Sequence, residues 1–243
     1  MITKEVQWLL EEKYQGDLDA LGFAADKARL ALGEPLAYVI GWQPFLGLRI
    51  YLDSHPLIPR PETEWWTNEL LENAALAPLF LDLCAGSGAI GCAALARLPH
   101  AQVFFGELDS AHEPTIRKNI LENGLDASRA DIRIGDLFEP FADLRFDYIA
   151  VNPPYIPQGR ILAESVAAYE PAEALYAGPE GLDCIAKILA HLPEHLAPNG
   201  QAWIEIDETQ ADTALALAAS ARLSAHVLND QYHVPRVLVV SST

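Results

Sequence analysis

The run Leu79-Phe80-Leu81-Asp82-Leu83-Cys84-Ala85-Gly86-Ser87-Gly88-Ala89-Ile90-Gly91 changes character twice within a few residues. It opens as a short apolar stretch, the pattern of a buried parallel strand. It passes through a loop of small residues, where the backbone can approach a ligand closely. It ends in a helical pattern that continues from Ile90 to Leu98. In an open parallel sheet, ligands bind off the carboxyl ends of the strands, beside the point where strand order reverses. The question is whether the rest of the chain supplies such a sheet.

It does so by alternation. Strand patterns are read at Gln102–Gly106, Ile132–Ile134, Phe146–Val151 and Ala202–Ile206. Between them lie helical patterns at about 113–122, ended by Asn123-Gly124, and at 182–196, followed by an Asn199-Gly200 turn. Another helix is expected over 208–221, and 224–228 with 236–240 form a closing antiparallel pair. Strands and helices alternating at these lengths predict an α/β fold, a mostly parallel sheet with helices on both faces. The first part is different. Residues 1–34 read as a short helical segment, with a stripe of Val6, Leu9 and Leu10, then Leu21, Ala28 and Leu30. Residues 35–77 read as a β-hairpin over 36–58 and a linker helix starting near Pro61, a residue suited to the first helical position. Residues 78–243 hold the Rossmann-like sheet.

Composition narrows the class. The 243 residues suit one full-sized domain with a small appendage, and 51% hydrophobic content supplies a core. No apolar run is long enough for a membrane span, and the start, Met1 to Glu5, lacks a leader pattern. Three cysteines without paired spacing, Cys84, Cys92 and Cys184, indicate a reduced, cytoplasmic protein. A net charge of −18 with no basic run speaks against direct nucleic-acid binding and slightly favours a basic protein partner. A monomer is expected.

The spacing Gly86-x-Gly88-x-x-Gly91 fits a dinucleotide fingerprint formally, and Glu107 supplies the acid expected about 20 residues further on. Cys84, Ala85, Gly86, Ser87, Gly88 and Glu107 therefore read as a nucleoside site, against the plainer alternative of a tight turn and a surface Glu. Asp136 and Leu137, after the next strand, suit an adenine amino group and ring. NAD and S-adenosylmethionine both remain open on these residues. Asn152-Pro153-Pro154-Tyr155, after the Phe146–Val151 strand, decides between them. The prolines remove two backbone donors and leave carbonyls free to accept. With the Asn152 amide they form a rigid cluster of acceptors able to hold an NH2 group. That suits methyl transfer, whereas a dehydrogenase needs a paired His and a substrate-binding Arg that the chain does not place.

The chain resembles the glutamine N5-methyltransferases that modify peptide chain release factors (the HemK/PrmC family). The matching stretches are Pro35 to Gly41, Leu57 to Glu64, Asp82 to Gly91 and Asn152 to Ile156, then Glu170-Pro171 through Ala174, Gly178 and Gly181-Leu182, and Asp230 with Pro235-Arg236. The Leu57-Ile58-Pro59-Arg60-Pro61-Glu62-Thr63-Glu64 run is the most specific of them. The resemblance implies a seven-stranded S-adenosylmethionine-dependent methyltransferase fold and, as substrate, the glutamine of a Gly-Gly-Gln loop in a release factor. The family usually carries a longer amino-terminal helical domain and an Asp where Glu107 stands.

The expected chemistry is in-line transfer of a methyl group to the glutamine side-chain nitrogen. Asn152 and Pro153 are the expected catalytic acceptors, Pro154 and Tyr155 complete the substrate site, and Asn152 also borders the cofactor. No metal is required. Rival readings are N6 methylation of adenine in DNA or RNA, which needs base flipping and a basic groove, a ribosomal-protein glutamine methyltransferase, and a non-catalytic nucleoside-binding module. His191-x-x-Glu194-His195 imitates an inverted zinc signature, but Pro193 interrupts it. Of Trp65 and Trp66, one is expected in the core and one at a domain contact. Cys84 reads as a small loop residue, and Arg60 as a lid or a surface cation.

Overall fold

The computed structural model describes residues 3–74 and 76–242, so Met1 and Ile2 of the stretch read for a leader lie outside it. Seven strands make the main sheet: β3 (Leu79–Leu83), β4 (Gln102–Glu107), β5 (Ala130–Ile134), β6 (Phe146–Val151), β7 (Leu196–Glu205), β8 (Leu223–Asn229) and β9 (Pro235–Ser242). Their order is β5-β4-β3-β6-β7-β9-β8. The pairs from β5 to β7 are parallel, and β9 runs antiparallel to both β7 and β8. The chain builds outward from β3 on one side, then returns to β6 on the other. That reversal opens a crevice at the carboxyl ends of β3 and β6, where the glycine loop and Asn152 both emerge.

Strand alternation sorts the side chains into two cores. Phe80, Val103, Phe105, Ala150, Trp203, Val237 and Val239 face a cluster with α4 (Pro61–Asn73), α5 (Ala89–Arg97) and α6 (Glu113–Glu122). Leu81, Phe104, Ile149, Ile204, Leu238 and Val240 face the other, with α8 (Asp183–His195) and α9 (Ala211–Ser220). Successive strand residues point to opposite faces, so a run apolar on both registers must be covered on both. At Gly91 a Cβ would lie 2.2 Å from Phe105 Cε1. Only a glycine lets α5 sit this close to β4 at the mouth of the crevice.

Several elements depart from the sequence reading. The amino-terminal helical stretch is two helices, α1 (Lys4–Tyr14) and α2 (Phe23–Ala31), separated where Gln15 turns left-handed at φ 52°. Residues 36–58 are not a hairpin alone. Leu36–Ile40 is a short helix, α3, stopped by Gly41 at φ 101°, and the hairpin is confined to β1 (Trp42–Phe45) and β2 (Leu48–Tyr51). Asn199 and Gly200 lie within β7, where the pairing with β6 slips between Phe146 and Tyr148, so they bulge the strand rather than precede it. Helix α8 also runs through Pro193 to His195. His195 stacks on Phe138, with ring centroids 4.4 Å apart, and is committed to the core. A last short helix, α7 (Glu164–Tyr169), follows the acceptor loop.

Candidate active site

Two adjoining cavities occupy the crevice. The first is lined by loops at the ends of four neighbouring strands, among them Cys84 and Gly86 after β3, Glu107 at the end of β4, Asp136 and Leu137 after β5, and Asn152 after β6. Leu83, Leu108 and Leu57 give it apolar walls. Its charged lining is Glu107, Asp109, Asp136 and Glu173, with His112 the remaining titratable nitrogen and no lysine or arginine among the described residues. Such a lining repels phosphate and favours a cationic ligand. Glu107 is held by two loop amides: Gly86 N donates to Oε2 at 2.7 Å and Asp109 N to Oε1 at 2.9 Å. A carboxylate offers about four acceptor sites, so both oxygens keep capacity for further hydroxyl donors.

The glycine loop is braced from behind. Asp82 is buried, with Oδ2 accepting from Gly91 N at 2.8 Å and Oδ1 without a partner among the described residues. Burial drives its carboxyl well above the usual range. Ala85 N donates to Gly106 O and Gly88 N to Ala85 O, and Asn119 Nδ2 donates to the Ser87 carbonyl. Ala85, Ser87 and Gly88 thus form the loop, while Cys84 and Gly86 are the members that reach the cavity wall. The hydrogen bond with Cys184, then burial, pushes the Cys84 thiol well up, which leaves it a poor nucleophile.

The second cavity is lined by Arg60, Pro153, Tyr155, Ile156, Val166 and Leu175, and shares Leu57, Asn152 and Ala174 with the first. Pro154 faces the first cavity and Pro153 the second. The loop that carries them is pinned on both flanks. Gln210 Nε2 donates to Tyr155 O at 2.8 Å and also to Gly181 O at 3.2 Å. Gly181, at φ +73°, lies so near that a Cβ there would stand 2.1 Å from Tyr155 O. Ile156 bridges to Tyr176 beyond. Arg60 donates to Glu170 Oε1 at 2.6 Å, and the second oxygen of this buried acid accepts from Ile58 N at 3.2 Å. The Leu57–Arg60 segment is thereby tied over the place where the cavities meet.

Behind Asn152 lies a buried polar cluster. Asn152 Nδ2 donates to Thr63 Oγ1 at 3.1 Å, and Thr63 donates to Glu205 Oε2 at 2.7 Å. Trp66 Nε1 donates to the same oxygen at 2.7 Å, and the Tyr155 hydroxyl to Glu205 Oε1 at 3.0 Å. Burial raises the Glu205 carboxyl, against the pull of these three donors. The charge of Glu205, then burial, lifts the Tyr155 hydroxyl well above its ordinary range, so it stays a donor.

The cavities bring together Cys84, Gly86, Glu107, Asp136, Leu137 and the Asn152–Tyr155 loop, all read from sequence. Sequence reading missed Asp109, His112, Thr63, Gln210 and Glu205. Glu205 left a signal, an acid in the otherwise apolar run Ala202-Trp203-Ile204-Glu205-Ile206. Trp66 is fully buried and Trp65 packs partly buried against the same core. Among the described residues no group of His, Cys, Asp and Glu side chains is arranged to hold a metal, and no helix is long and apolar enough to cross a membrane.

Residues 67–169 match the family model "Methyltransferase small domain". The chain is 40% identical over 192 residues to the release factor glutamine methyltransferase of Geobacter sulfurreducens, spanning 78% of this chain and 66% of that one. It is 32% identical over 218 residues to the enzyme of the same name from Thermodesulfovibrio yellowstonii, spanning 86% and 77%. A ribosomal protein uL3 glutamine methyltransferase from Bradyrhizobium diazoefficiens is 31% identical, over 73% of this chain and 59% of that one. Among solved structures, the ribosomal protein L11 methylase of Lactobacillus delbrueckii subsp. bulgaricus superposes with a TM-score of 0.59 at 19% identity, over 83% of this chain and 90% of that one. That likeness is one of fold.

Proposed function

This chain belongs to the release factor glutamine methyltransferase family, and on that premise we propose how its residues perform the reaction. It is an S-adenosylmethionine-dependent enzyme that methylates the side-chain amide nitrogen of glutamine in peptide chain release factors. The target is the glutamine of a Gly-Gly-Gln loop. The acid-lined first cavity fits the cofactor, since the summed field of Glu107, Asp109, Asp136 and Glu173 suits a ligand of net positive charge where it repels a dinucleotide's phosphates. When bound, S-adenosylmethionine supplies the electrophilic methyl group. Glu107 accepts from the ribose hydroxyls, Asp136 from the adenine amino group, and Leu137 packs on the ring. Cys84 to Gly88 form the loop that lets the ligand approach.

The glutamine side chain enters the second cavity, along Tyr155. Its nitrogen is a weak nucleophile, because the lone pair is shared with the carbonyl. The Asn152 side-chain oxygen and the Pro153 carbonyl accept its two N–H groups and aim the nitrogen at the first cavity. The amide would gain positive charge as the N–C bond forms and would then give up one N–H proton to solvent to leave the neutral secondary amide, so fixed acceptors bind the transition state better than the substrate. Positioning of this kind supplies up to ~7–11 kcal/mol when the reacting atoms are held near attack. The carrying observation is that Asn152 stands on the wall common to both cavities.

The protein acts as a monomer in the cytoplasm on a protein substrate, without binding nucleic acid directly. The test is incubation with methyl-labelled S-adenosylmethionine and a release factor, with its Gly-Gly-Gln glutamine intact or replaced. Label confined to the intact factor is the expected result. Label on adenine, or on a ribosomal protein in place of the factor, overturns the assignment.

A further inference from the structure

Glu205 ends β7 with 1% of its surface exposed, and none of the roles above uses it. Two of its donors meet on one oxygen: Trp66 Nε1 and Thr63 Oγ1 each stand 2.7 Å from Oε2. An indole N–H can only donate, so Oε2 accepts from Trp66, and with the carboxyl ionised or its proton on Oε1 it accepts from Thr63 as well. A hydroxyl has a single proton, and that of Thr63 is spent on Oε2. What Thr63 turns toward Asn152 is therefore lone pairs alone. Asn152, 3.1 Å away, satisfies them with its NH2, which leaves its carbonyl oxygen for the cavities. The two ends of an asparagine amide have nearly the same shape, and hydrogen-bond partners decide which way it lies. The direction of donation, from Asn152 to Thr63 to Glu205, makes that decision here.

We propose that Thr63, itself oriented by Glu205 and Trp66, is a positioning residue that holds Asn152 as an acceptor toward the substrate amide. The inference rests on Asn152 being the glutamine clamp. Without the Thr63 hydroxyl, the NH2 of Asn152 loses its partner and turns toward the substrate N–H groups, donor against donor.

The test compares Thr63→Val, which keeps the shape and removes the hydroxyl, with Thr63→Ser, which keeps the hydroxyl. Thr63→Val is expected to lower kcat about tenfold or more, the scale of one unsatisfied donor, with KM for the release factor and cofactor affinity by calorimetry within about threefold of wild type. Thr63→Ser is expected to restore most of kcat. Wild-type kcat in Thr63→Val, or equal loss in both variants, overturns the proposal. A measurement on the unaltered protein decides the same point if a variant fails to fold. In 15N-labelled enzyme the Asn152 side-chain NH2, identified by its loss in Asn152→Ala, is expected to exchange slowly with solvent. Exchange at the rate of a free amide overturns the proposal. If the wild type labels something other than glutamine, the parent reading falls, and the Asn152 amide signal still judges the orientation.

Discussion

An alanine at position 152 removes one carbonyl acceptor and one donor to Thr63, while Glu107 at the far side of the first cavity keeps both its amides. The two residues are therefore separable by experiment. Asn152→Ala is expected to cut turnover by about 10²-fold or more, the scale of losing one preorganised polar contact, and to leave S-adenosylmethionine binding nearly intact. Single-turnover methyl transfer and calorimetry on the same preparation check this. Glu107→Ala is expected to weaken cofactor binding about 10- to 100-fold, as for loss of hydrogen bonds to a charged group. Unchanged affinity by calorimetry would remove Glu107 from the ribose. Both residues were legible in sequence because each closes an apolar strand pattern, Glu107 about 20 residues past the glycine loop and Asn152 at the head of the Pro153-Pro154-Tyr155 run. Thr63 and Glu205 were not, since their meaning lies in contacts across 142 residues of chain. A lone Glu in a strand does not reveal which hydroxyl or indole will meet it.

The loop from Asn152 to Tyr155 has little regular structure of its own, so neighbouring elements fix its position. Gln210, at the amino end of α9, reaches its backbone with one amide group, and the 178–181 turn presses on it. Gly181→Ala is expected to push Tyr155 aside, because the new methyl carbon meets a backbone oxygen at 2.1 Å and the residue stands at φ +73°. A shift of ~1 Å in a reacting constellation costs about 10²-fold in rate. Steady-state kcat checks it, with cofactor affinity expected to change far less. Most strands and helices of the sheet were read in place because their patterns are local, although β7 starts at Leu196, ahead of the turn read at Asn199-Gly200. The failures came where tertiary contacts override pattern. Leu36–Ile40 has strand-like residues but folds as a short helix, entered at Pro35 and stopped by Gly41, with Ala37, Tyr38 and Val39 buried. Pro193 stays inside the last turn of α8, between the buried Leu192 and His195.

At the scale of the molecule, the two large cores flank the sheet, and a third, much smaller cluster of Leu9, Phe23 and Val39 holds the amino-terminal helices. Around it, Asp26 accepts from Tyr14 and pairs with both Lys13 and Arg29. Few buried apolar contacts mean a low local opening energy. Leu9→Ala is expected to cost this cluster ~2–5 kcal/mol and to speed hydrogen exchange in α1 and α2, leaving β3, β4 and β6 as protected as before. Uniform loss of protection across the sheet would show that the amino-terminal helices are cooperative with the core. The acidic charge belongs to this scale too. The sequence gives its total, and the fold gathers four carboxylates into one cavity wall.

The strand order β7-β9-β8 has a consequence for how the chain is made. Strand β8 touches the sheet through β9 alone, yet β9 leaves the ribosome after it. Until those later residues are translated, β7 stands as an open edge and β8 has nothing to pair with. The end of β7 is also where Glu205 sits. The sheet therefore closes on this side from the inside only once β9 has emerged, and a nascent chain halted before Pro235 leaves the β7 edge beside Glu205 unpaired.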